Sequence, residues 1–124
     1  MSATSPRLSE GERALLDRYS EELTASLGSG LWAVWLFGSR ARGEDTGEYS
    51  DVDLLVLVDD DAWDRKVEIR TLLHRTAREV GLEDAAWSFS VHVHTPEWLR
   101  ERREIRSFFI NEVDRDKVVI AGRL

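Results

Sequence analysis

The sequence predicts an α/β domain, a small sheet of three to four strands with helices packed on it. Three observations carry this expectation. A capped amphipathic helix opens the chain, two runs of β-forming residues flank a glycine-rich loop, and a third, alternating run leads into a Thr-Pro helix start.

Ser9 followed three residues later by Glu12 makes a capping box and predicts a helix over 9–27. Leu15, Leu16, Tyr19, Leu23 and Leu27 recur at helical spacing and give it one apolar face. Gly28, Ser29 and Gly30 end it. "LWAVWLF" (31–37) reads as a buried strand. Residues 38–50 are loop, with one helical turn at "SRAR". "DVDLLVLV" (51–58) is a second strand, and Asp59 to Asp61 form a solvated polar turn before a helix over 62–80 that Gly81 stops. "AAWSFSVHV" (85–93) alternates in character, as a strand with one solvated or functional face does. Thr95 as N-cap and Pro96 at the first position start a helix through 103. The tail "SFFINEVDRDKVVIAG" predicts a short helix and then an edge strand. Residues 1–7 are a frayed lead-in, and no repeat or linker divides 1–124, so one domain is expected.

Composition narrows the function classes. Hydrophobic residues at 42% and charged residues at 33% fit a globular chain with a real core. No apolar run nears the roughly 18 residues of a membrane span, and the start lacks the plan of a signal peptide. Zero cysteines exclude disulfides and thiolate metal sites, and a cytoplasmic location is expected. A net charge of −7 argues against a broad nucleic-acid surface, because Lys and Arg supply that affinity. A small anion in one basic pocket stays compatible with it.

The chemistry gathers at "LFGSRARGEDTGEYSDVDLLVLV" (36–58). Strand alternation puts Asp51, Asp53 and Leu55 on one face, the two carboxylates roughly 7 Å apart. Such a pair suits one Mg²⁺ or two, since hard cations take carboxylate oxygens and leave positions open for substrate phosphates. Alone, two acids at a strand start more often simply face water. Gly38, directly after the first strand, lets a phosphate approach the backbone, and Ser39 adds a hydroxyl. Arg40 and Arg42 bring guanidinium forks suited to phosphate, and the turn offers free N–H groups.

"GSRARG", a spacer, then "SDVDLLVLV" resembles the signature of the nucleotidyltransferase superfamily related to DNA polymerase β. More narrowly it is similar to the small single-domain minimal nucleotidyltransferases of prokaryotes, in helix-strand-motif-strand-helix-strand order and in the "TPEW...FFINEV" ending. The resemblance implies the nucleotidyltransferase fold over most of the chain. It implies that Gly38 and Ser39 hold the β- and γ-phosphates of ATP or another nucleoside triphosphate. Asp51 and Asp53 would be catalytic and would bind two Mg²⁺ ions, with Arg40 and Arg42 helping on the phosphates and Arg42 matching the motif arginine. It implies transfer of a nucleoside monophosphate to a hydroxyl, with a helical HEPN-type protein as acceptor and toxin partner.

Fully active members use a third carboxylate from a neighbouring strand. The polar face here reads Ala86, Ser88, Ser90, His92 and His94, without an acid, and Glu83 and Asp84 precede it. Retained transfer is the first reading; a weak or inactive nucleotide-binding antitoxin that works by contact is the second. Modification of an aminoglycoside antibiotic is a third, minor one. His92 and His94 more often occupy a half-exposed face than bind a metal, with His92 a candidate base. Trp32 and Trp35, of unlike parity, are expected on opposite faces, and core packing is the default for them and for Phe108 to Ile110.

Overall fold

The computed structural model describes residues 6–44 and 51–124. Helix α1 (Glu10–Leu27) opens the chain, and a 3₁₀ turn (Gly28–Gly30) leads into β1 (Leu31–Phe37). Strand β2 (Val52–Val58) is followed by a short helix α2 (Asp60–Trp63), α3 (Lys66–Glu79) and a single turn α4 (Glu83–Ala86). Then come β3 (Phe89–His94), α5 (Pro96–Glu104), α6 (Phe108–Asp116) and β4 (Val118–Gly122). The sheet runs β3-β2-β1-β4, antiparallel except for the parallel β2–β3 pair. This is the mixed four-stranded α/β architecture expected, with β4 at an edge.

The capping box of α1 forms as read: Glu12 N donates to Ser9 Oγ at 3.1 Å, and Ser9 N donates to Glu12 Oε1 at 2.9 Å. Thr95 caps α5 through Trp98 N at 3.1 Å, with Pro96 in its first turn. Alternation in the central strands sorts two cores. Val34, Leu36, Val52, Leu54 and Val56 join Leu15, Leu16, Tyr19, Leu23, Ile69 and Leu73 beneath α1 and α3. On the other face Ala33, Trp35, Leu55 and Leu57 meet Leu99, Ile110 and Val113 of α5 and α6.

Five expectations change. The helix over 62–80 is broken after Trp63, and Arg65 at the break donates to Ser26 and Glu68 instead of continuing the spiral. The stretch 85–88 is not strand: Glu83 to Ala86 coil into α4, and strand geometry starts at Phe89. Trp32 and Trp35 lie against the same core, their rings edge-on at 6.1 Å, because a register irregularity between Leu31 and Ala33 breaks the parity. Of "FFI", only Ile110 is buried; Phe108 is 78% and Phe109 38% exposed. Arg7, expected to fray, is fixed by its N–H donating to Arg40 O at 2.8 Å. The loop segment 45–50 and residues 1–5 lie outside the described residues.

Candidate active site

The site lies where β1 ends and β2 begins, so sheet register decides what meets there. Phe37 at the end of β1 pairs with Asp53. The next residue, Gly38, has φ +81°, a conformation side chains resist, and a β-carbon there would lie 2.6 Å from Asp53 Oδ2. The acid and the glycine of the motif are thus in direct contact, and Leu55, which alternation puts on the face of Asp53, packs in the α5–α6 core with Phe37.

Residues 38–44 close into a turn, as the sequence suggested at "SRAR". Arg42 N donates to Gly38 O at 3.2 Å, Gly43 N to Arg40 O at 3.2 Å and Glu44 N to Ser39 O at 3.1 Å. Arg42 and Gly38 line a cleft of about 200 Å³ with Phe37, Phe109, Glu112, Val113 and Asp116. The Arg42 guanidinium donates to Asp116 Oδ2 at 2.9 Å and to Glu44 Oε1 at 3.0 Å. Arg40 behaves otherwise. It is buried, and its two terminal nitrogens donate to the Glu12 carboxylate at 2.7 and 3.2 Å.

Asp51 is exposed and Asp53 half-buried. Burial, and then the neighbouring Asp51 charge, hold the Asp53 carboxyl above the usual carboxylate range; His92 and Arg40 pull it back. A half-buried carboxylate held beside a second negative charge makes a site that a cation would relieve, and the all-oxygen donor set fits Mg²⁺. Among the described residues no cluster of three or more His, Cys, Asp or Glu gathers as a metal site. On β3 the residue paired with Asp53 is Ser90, and His92, opposite Leu55, follows on the same face. Glu83 and Asp84 do not come near; they line a separate groove with Ser9, Gly11 and Glu12.

The aromatic residues of β3 and α5 form a row along this face. His94 stacks on Trp98 at 3.7 Å and 8°, with Trp63 at 6.0 Å. His92 lies 5.7 Å from Phe37 and 6.4 Å from Phe109. Sequence reasoning did not place Phe109, Glu112 and Asp116 at the cleft. Their only signal was a short amphipathic helix in the tail, and its docking site depends on β4 returning beside β1.

An acid-bearing strand set against a Gly-Ser turn in a mixed sheet defines a class of phosphate-handling α/β domains. The chain belongs to the nucleotidyltransferase domain family, whose model matches residues 17–121. Among solved structures it is similar to a candidate nucleotidyltransferase from Sulfolobus solfataricus, 24% identical, with TM-score 0.51, covering 92% of this chain and 86% of that one. It also matches a toxin–antitoxin structure with AMP-PNP at 18% identity and TM-score 0.49, covering 86% of this chain and 73% of that one. No curated protein matches it. Among the described residues no helix is long and apolar enough to cross a membrane.

Proposed function

We propose that this chain transfers a nucleoside monophosphate, AMP from ATP first, to a hydroxyl on a HEPN-type partner protein and thereby acts as its antitoxin. The observation that supports transfer best is the contact between Asp53 and Gly38. It brings a carboxylate to a loop position where backbone, not side chain, can meet a phosphate. Gly38, Ser39 and Arg42 would take the β- and γ-phosphates, and Arg40 would shape the loop from behind. Asp51 and Asp53 would hold Mg²⁺, which when bound supplies charge neutralisation at the attacking and leaving oxygens. The chain's own part is to hold the triphosphate beside the acid pair. The HEPN partner rests on the motif resemblance.

A second reading, neutralisation by contact alone, is favoured by one observation: the position paired with Asp53 on β3 is Ser90, not an acid. Incubation of the purified protein with labelled ATP, Mg²⁺ and a HEPN partner separates the two. Label on the partner that disappears in Asp51→Asn supports transfer. Neutralisation that persists in Asp51→Asn without any label supports contact.

A further inference from the structure

We infer that Glu12 is a positioning residue, whose buried carboxylate ties the Gly38–Ser39 loop to the strand start that carries Asp51 and Asp53. The inference rests on the reading of the site given above. A capping box asks of its third residue one acceptor for the N-cap N–H. Glu12 supplies that to Ser9 at 2.9 Å and then does more. It is 7% exposed, and both of its oxygens accept from the Arg40 guanidinium, 28 residues away. A forked guanidinium–carboxylate pair fixes orientation as well as distance.

The two ends of this tie reach the two halves of the site. On the loop side, Arg40 Nη1 also donates to Arg7 O at 3.0 Å, and the Arg40 carbonyl accepts from Arg7 N and Gly43 N. Arg40 directly follows Ser39 in the chain. On the strand side, Ser88 lines one groove with Glu12, and Ser88 O accepts from Val52 N at 2.7 Å. Val52 stands between the two acids. One carboxylate therefore sets the separation of the phosphate loop and the acid pair, although it touches neither substrate nor reacting atoms. Burial makes the tie strict, because a buried charge that loses its partner is strongly unfavourable. A misplacement of about 1 Å at such a site costs up to roughly a hundredfold in rate.

The test compares Glu12→Gln, which still caps the helix, with Ser9→Ala, which breaks the cap and leaves the Glu12–Arg40 fork. Arg40→Lys, which keeps the charge and loses the fork, covers the case in which Glu12→Gln fails to fold. Two quantities are measured: the Kd for AMP-PNP with Mg²⁺, and amide exchange at Ser39 and Val52 without ligand. Glu12→Gln and Arg40→Lys are expected to weaken nucleotide binding roughly tenfold and to speed exchange at both amides together. Ser9→Ala is expected to lower Tm with both quantities unchanged. Equal affinity and equal exchange in folded Glu12→Gln or Arg40→Lys would overturn the inference, as would the same loosening in Ser9→Ala. If the unaltered protein binds no nucleotide, the proposed function fails, and exchange at Ser39 and Val52 still decides the tie.

Discussion

Asp53 Oδ2 occupies the space that a β-carbon on Gly38 would need, 2.6 Å away. Gly38→Ala therefore does two things at once. It forces a side chain into φ +81°, which costs on the order of 1–2 kcal/mol, and it drives the Asp53 carboxylate out of place. We expect a lowered Tm and loss of nucleotide transfer beyond what the stability change explains. A Gly38→Ala protein with full transfer activity would contradict the arrangement.

The raised proton affinity of Asp53 carries a sign. A carboxyl whose folded pKa lies above its unfolded value destabilises the fold progressively as pH rises between the two, and the whole cost remains at neutral pH. Asp53→Asn removes the burial and repulsion costs on that half-exposed group. The expected gain in stability without ligand is on the order of 0.5 kcal/mol after solvent screening, with transfer abolished. Thermal melts of the two proteins at pH 7 check it. A lower Tm for Asp53→Asn would refute the electrostatic account.

His94 is held neutral. Burial first, and then the charges of His92, Arg102, Arg70 and Lys66, lower its pKa to about 4. The unfolded chain then binds a proton that the folded one refuses between roughly pH 6.5 and 4. Stability is expected to fall as pH drops through that window, with no further loss from this group below it. His94→Phe keeps a ring between Trp63 and Trp98 and should flatten the acid side of a Tm–pH curve. An unchanged acid limb would show that other groups set it.

Tyr19 tests the scaffold apart from the site. Its hydroxyl donates to Ile69 O at 2.7 Å inside the α1–α3 core, and burial holds its pKa well above the usual phenol range. Tyr19→Phe should cost about 1–2 kcal/mol in chemical denaturation and leave nucleotide affinity as it was. A matching loss of affinity would mean that the two layers are coupled.

How much of this was legible beforehand depended on the range of the interaction. The α1 cap and the facing of Asp53 were readable because Ser9–Glu12 and the Asp51–Asp53–Leu55 alternation are local. The turn at 38–44 was readable from its glycines. The short helix at Glu83–Ala86 was not, since four residues show too little of any period to separate a turn from a strand. The pairing of Trp32 with Trp35 depended on a register shift against β2, which no single strand encodes. Arg40 was read as a phosphate helper because a guanidinium fork beside a Gly-Ser turn suits phosphate; its partner Glu12 lies 28 residues earlier and had already been accounted for as a cap.

The uneven division of the core has a dynamic consequence. The α1–α3 layer closes over the larger cluster, while the face with Asp53 rests on the smaller one under α5 and α6, beside the exposed rings of Phe108 and Phe109. Sub-global opening follows the lesser burial, so amides of α5 and α6 should exchange with solvent before those of α1 and α3. Breathing is thereby confined to the layer that brings Phe109 and Asp116 to the cleft, and the frame beneath it stays shut.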